Sequence, residues 1–298
     1  MADPLTVVLC AARNAGDAQR RRQQELADAL AARPGVELAV LPHLYDLAPG
    51  GPGWQYLQSL GGHFFVLGWL YPRAAYWVLR ANGVEGRLGR TSFFSPDEEV
   101  EADRATRESE RPDRIIWCLD LRGSPDAAGI LSEIERIAAG VAPGRGHVST
   151  VDARHRRVEE VVLQRWYPVI DYRRCENCLE CLNFCLFGVF GLDEAGRIFV
   201  EQPDACRDGC PACSRICPPA AILFPEHPDG AIAGDPSAAR PAGGFHVDFL
   251  DGPSQGASPE PSGDRQAAGP PHGIPHRPAA EEKDGLDRLL DELDGAEQ

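Results

Sequence analysis

The chain has 298 residues, enough for two ordinary domains or for one large domain with an appended module. A hydrophobic content of 43% fits a folded protein, while 26 prolines and 31 glycines indicate that part of the length is not packed. The formal net charge of -15 argues against a nucleic-acid partner, because phosphate binding needs clustered Lys and Arg; most of the acidic excess lies after His227.

The opening "MADPLTVVLCAARNAGDAQ" has neither the basic start nor the long apolar run of a secretory signal, so the cytoplasm is the expected compartment. Residues 6–11 form a β-branched run, and the helical pattern that follows has Leu26 and Leu30 one turn apart and a stop at Pro34-Gly35. Strand patterns recur over 36–44, 63–70 and 114–121, with helical patterns over 72–82 and 125–140. Strands alternating with helices predict an α/β domain over residues 1–145, with a parallel sheet of about four strands and helices on both faces. The apolar window 63–79 is broken by Pro72 and Arg73, so no membrane span is expected. Trp69, Tyr71, Tyr76 and Trp77 are read as core and interface, Cys10 and Cys118 as small buried hydrophobes, and His43 and His63 as ordinary polar residues.

A parallel sheet invites a nucleotide or flavin at the carboxyl ends of its strands. Here the first strand leads into "CAARNAGDAQ", which matches no phosphate-binding loop and lacks the Ser/Thr run that holds a flavin phosphate. The Gly-rich "APGGPG" (48–53) is read as a plain loop. Flavin is thus a cofactor without a motif behind it.

The densely charged stretch 95–114 reads as an exposed loop or a solvated helix, and 146–160 as a linker. Residues 228–280 are rich in Pro and Gly and too poor in large apolar side chains to offset their ordering entropy, which predicts disorder. Residues 281–298 carry Leu286, Leu289, Leu290 and Leu293 on one face of an acidic helix that either docks on a partner's groove or frays.

The remaining segment, 161–227, holds the chemistry. "CENCLECLNFC" places Cys175, Cys178, Cys181 and Cys185 at gaps of two, two and three residues, and "CRDGCPACSRIC" places Cys206, Cys210, Cys213 and Cys217 at gaps of three, two and three, followed by Pro218. Each run is flanked by strand patterns, with a hairpin turn at Glu194-Ala195-Gly196. So many thiols in a reducing compartment favour metal or cluster ligation over disulfides. Zinc uses four ligands in isolated pairs, whereas a C-x2-C-x2-C run supplies a third thiolate that a tetrahedral site has no use for beside a fourth.

Over residues 165–225 the chain resembles the two-cluster bacterial-type ferredoxin family, whose run is C-x2-C-x2-C-x3-C-P. The resemblance implies an α+β module with two 4Fe-4S clusters. One would be held by Cys175, Cys178, Cys181 and Cys217, the other by Cys206, Cys210, Cys213 and Cys185, each run donating its fourth cysteine to the opposite cluster. Leu186 stands where the family has proline, and the second run has one residue too many before Cys210. At the second site the alternatives are therefore Cys206, a nearby carboxylate (Asp204 or Asp208), or a three-iron cluster. The function this implies is electron transfer to a redox partner protein, as a carrier or redox subunit more than a stand-alone enzyme, with the α/β domain as a docking or regulatory platform. Two alternatives stay open: a flavin- or nucleotide-dependent oxidoreductase subunit fed by the ferredoxin module, and an iron-sulfur redox sensor.

Overall fold

In the N-terminal half, four apolar runs become strands buried on both sides: β1 (Leu5–Cys10), β2 (Val36–Leu41), β3 (Phe64–Gly68) and β5 (Ile115–Asp120). Two short edge strands, β4 (Arg87–Leu88) and β6 (His155–Arg157), extend them to a six-stranded, all-parallel sheet in the order β4-β5-β3-β1-β2-β6. The sequence patterns predicted about four strands. The two extra ones are short and pair through backbone rather than through an apolar pattern, β6 being three exposed polar residues.

Successive side chains of a strand face opposite ways, and the two cores follow that alternation. Val7, Leu9, Leu38, Val40, Phe65 and Leu67 pack against α1 (Asp17–Ala31) and α4 (Ala127–Gly140). Val8, Cys10, Ala39, Leu41, Phe64 and Val66 face α2 (Pro52–Ser59) and α3 (Pro72–Ala81). Leu26 and Leu30 are buried as their spacing predicts, and α1 ends before Gly35, whose φ of 78° suits glycine. Trp69, Tyr76 and Trp77 are buried, Cys10 and Cys118 lie in the second core, and desolvation pushes the Cys10 thiol up to about 12.

The expectation of a plain loop at 48–53 is corrected: Pro52 opens α2 at the first helical position, where its missing N–H costs nothing. Glu160, far along the chain, accepts from the amides of Ala48 (2.7 Å) and Gly53 (2.9 Å) and so caps that helix start. A Cβ on Gly51 would meet the Glu160 carboxylate, so the glycine richness serves this close approach.

The second half follows as β7 (Val169–Ile170), α5 (Glu180–Phe184), β8 (Phe190–Leu192), β9 (Ile198–Val200), α6 (Ala212–Ile216) and β10 (Ile222–Leu223). β7 pairs antiparallel with β10 and β8 with β9, and the turn of the second pair falls at the Glu194–Gly196 position that the sequence predicted. Packing continues beyond residue 227 into a short helix, α7 (Gly230–Ala233), with Ile232 buried. The structure, a computed structural model, describes residues 4–93, 114–123, 126–140 and 155–238. These lie in one compact unit, Met1–Val247. The charged stretch before Arg114, most of the expected linker, and everything after Ala238, including the expected acidic helix 281–298, fall outside the described residues.

The halves are joined by polar contacts as well as by core. Tyr45 and Tyr167 stack with centroids 4.3 Å apart, and Tyr167 donates its amide to the Tyr45 hydroxyl (2.8 Å) while accepting from it at its carbonyl. Fully buried Asp171 accepts from Arg73 of α3 (2.7 Å), and Arg73 also reaches the Ala220 carbonyl (3.0 Å). Among the described residues no helix is long and apolar enough to cross a membrane.

Candidate functional site

The cysteine-rich half is built twice. Cys178, Cys181 and Cys185 stand 32 residues before Cys210, Cys213 and Cys217, and the five-residue helices α5 and α6 start at Glu180 and Ala212, the same offset. The backbone repeats too. Asn177 (φ 55°) and Gly209 (φ 71°) take the left-handed conformation just before the second thiol of each run, and Gly188 (φ 66°) and Ala220 (φ 53°) do so three residues past the fourth. Cys175 would map onto position 207, whereas the thiol is at Cys206, so the extra residue of the second run falls between its first two cysteines.

The loop from Cys175 to Cys181 carries a further left-handed residue, Leu179 (φ 63°). A bulky side chain there costs of order 1 kcal/mol, and such strain collects at functional sites. Left-handed residues alternating with ordinary ones turn successive N–H groups into one concavity, the arrangement that holds anions and many iron-sulfur groups. Asn177 fixes the loop: its side chain donates to the Gly196 carbonyl (3.0 Å) and accepts from the Ile198 amide (2.8 Å).

Inside this loop lies a cavity lined by Cys175, Cys178 and Cys181 from the first run and by Cys217 from the second, with Ile170, Ile198 and Ile222 as apolar wall. The Ala221 amide donates to the Cys217 sulfur at 3.3 Å. All ten cysteines are free thiols. Burial pushes the Cys181 and Cys206 thiols up to about 12, and raises Cys213 as well. After burial, the next influences are neighbouring thiols: Cys217 on Cys181, Cys210 and Cys185 on Cys206, and Cys206 and Cys185 on Cys213. Cys217 thus lies beside the thiols of the first run, and Cys185 is near enough to Cys206 and Cys213 to help raise both. Cys181 and Cys213, on helices that pack together, also feel each other.

Among the described residues no group of three or more His, Cys, Asp and Glu side chains stands where it could hold a metal ion. Of the carboxylates weighed as substitutes for Cys206, Asp204 is engaged by Arg165 at 2.8 Å, while Asp208 is close enough to help raise the Cys206 pKa. Arg173 and Arg174 are turned to Asp171, and their amides with that of Cys175 organise the turn into the first run. Trp166 donates to the Cys210 carbonyl (3.1 Å) and stacks on Phe224. Phe184, Leu186 and Phe187, around Cys185, are exposed.

One sequence reading needs correction. His43 is not an ordinary polar residue: it is buried, with Asp46 at 3.5 Å and Glu226 at 3.3 Å. Nothing near it in sequence announces Glu226. His63 accepts from the Ile115 amide (3.0 Å) at the amino-terminal ends of β3 and β5.

The cysteine-rich half thus carries eight thiols in two matching runs. Over 52 residues, 17% of its length, the chain is 48% identical to a Methanocaldococcus jannaschii protein described as an uncharacterized ferredoxin. It spans 35% of that relative, about a third of its length. This relates a part of the chain to a protein described as a ferredoxin. No family model matches the chain.

Proposed function

We propose that the chain is an electron-transfer protein whose cysteine-rich half carries two 4Fe-4S clusters. Cys175, Cys178, Cys181 and Cys217 would hold one, and Cys206, Cys210, Cys213 and Cys185 the other. The observation that carries this reading is the cavity lined by three thiols of the first run together with Cys217 of the second. The left-handed loop around it and the 32-residue repeat from Cys181 to Cys213 support it further. A four-iron group takes one thiolate on each iron, so its ligands need not converge as they would on a single ion, for which the described residues offer no site.

Bound there, the clusters would supply one-electron chemistry. The chain's own residues set the conditions for it. Ile170, Ile198 and Ile222 give the first site an apolar wall on one side, and the Ala221 amide lowers the electron density on the Cys217 sulfur, which raises a reduction potential. Desolvation and the neighbouring cysteines disfavour the thiolate forms, so these thiols hold their protons until iron displaces them and loading releases protons. Phe184, Leu186 and Phe187 offer an apolar surface beside Cys185 for a redox partner, and the α/β half acts as the platform on which the module is fixed.

Analysis of anaerobically purified protein tests this. The reading expects about eight irons and about eight acid-labile sulfides per chain. Zinc without sulfide would end it.

A further inference from the structure

We propose that the cleft at the carboxyl ends of the parallel strands binds a small organic carboxylate. This goes beyond electron transfer and stands whether or not the cysteines carry iron. The strand order turns back at β1, whose neighbours are β2 on one side and β3 on the other, and open parallel sheets bind ligands beyond the strand ends at such a point. A cavity of about 270 Å³ opens there. Its walls are Arg13 from the loop after β1, His43 after β2, Trp69 after β3 and Arg122 after β5. Glu226, from the segment that follows β10, roofs it, so both halves of the chain contribute to the site.

Two buried polar side chains in this cleft lack a hydrogen-bond partner: both ring nitrogens of His43, which is 4% exposed, and the indole N–H of Trp69, which is 7% exposed. Buried donors are nearly always paired, and an indole N–H can only donate, so the missing partner at Trp69 is an acceptor. Arg13 and Arg122 add two guanidinium groups, although each already has a carboxylate, Asp46 and Asp120. Glu226 stands 3.3 Å from His43 and 3.7 Å from Arg13, and its contact with His43 is not aligned as a hydrogen bond. It is a weakly held internal carboxylate, in the place that an incoming one would take.

A phosphate fits less well. The Gly16 and Ala12 amides around the start of α1 are already taken by Gln19 (3.1 Å) and Gln23 (3.3 Å), and Asp17 in the first turn repels an anion at the helix end. At about 270 Å³ the cavity is at the small end of ligand pockets, which suits a small carboxylate better than a flavin nucleotide.

The test uses the full chain, purified anaerobically and labelled with ¹⁵N at its tryptophan indoles. It is titrated with a series of mono- and dicarboxylates from acetate to adipate, and separately with inorganic phosphate and with FMN, each to about ten times a millimolar Kd. Calorimetry serves as a second reading. The expected result is a saturable shift of the Trp69 indole signal, assigned by its absence in Trp69→Phe, with at least one carboxylate and with neither phosphate nor FMN. Removing the competing charge in Glu226→Gln should tighten that binding about two- to fivefold, the worth of one exposed ion pair. A Trp69 signal that no carboxylate moves, a shift produced by phosphate or FMN instead, or an affinity unchanged or weakened in Glu226→Gln would overturn the proposal.

Discussion

Replacing Asp171 with Asn tests how the two halves depend on each other. Asp171 is fully buried and accepts from Arg73 (2.7 Å), from the Arg173 side chain (3.2 Å) and from the Arg173 amide (3.1 Å). The side chains of Arg73 and Arg173 are themselves only 2% and 1% exposed. The amide isostere keeps the shape but removes the buried negative charge that both guanidinium groups face. Breaking a buried pair in this way costs about 3–5 kcal/mol. In a unit of this size each kcal/mol moves Tm by about 2–4 °C, so the variant should melt roughly 6–20 °C below the parent. Thermal unfolding followed by circular dichroism, and by tryptophan fluorescence, measures it. Because Arg73 belongs to α3 and Asp171 leads into Cys175, both probes should shift together. Arg33→Ala, which opens an exposed pair with Glu135, serves as the control and should leave Tm nearly unchanged. A loss below about 1 kcal/mol for Asp171→Asn, or a shift seen by one probe only, would refute the reasoning.

Tyr45→Phe leaves the buried amide and carbonyl of Tyr167 without the hydroxyl that serves both, and should cost about 1–3 kcal/mol in urea unfolding; Tyr56→Phe, whose hydroxyl has no partner, should cost almost nothing. Glu133 is held near pKa 2 by its hydrogen bonds from Arg136 and Ser92, against a usual value of 4.5. Its folded pKa is depressed, so the stability it contributes is present above pH 4.5 and is lost as pH falls toward 2; Glu133→Gln should lower stability by about 1–2 kcal/mol at neutral pH and flatten the acid limb of a Tm-against-pH curve. A Glu133→Gln curve parallel to the parent's between pH 5 and pH 2 would show that the pair contributes nothing.

The four central strands were legible because each is an apolar run buried on both faces, and burial of that kind leaves its mark on every residue. β6 was not, since His155-Arg156-Arg157 is polar and exposed and pairs with β2 through its backbone. α2 was hidden for a different reason. Its start is glycine-rich to admit Glu160, and that reads as a loop until the distant carboxylate is in place. In the cysteine-rich half the spacing of the thiols carried the two-fold repeat openly. What spacing could not carry was the surroundings of His43, whose neighbour Glu226 comes from the far end of the packed chain, or the buried pair that ties Arg73 to Asp171. Contacts between residues so far apart in the chain depend on the tertiary arrangement, and local periodicity holds no record of them.

The central claim is that each half of the cysteine-rich fold lends its fourth thiol to the other. Diffraction from crystals grown anaerobically, recorded on both sides of the iron absorption edge, addresses it directly. The account predicts two separate iron peaks, with the Cys217 sulfur bonded to the iron held by Cys175, Cys178 and Cys181, and the Cys185 sulfur bonded to the other. A peak at the zinc edge instead, or Cys217 bonded to the same iron group as Cys210 and Cys213, would contradict it.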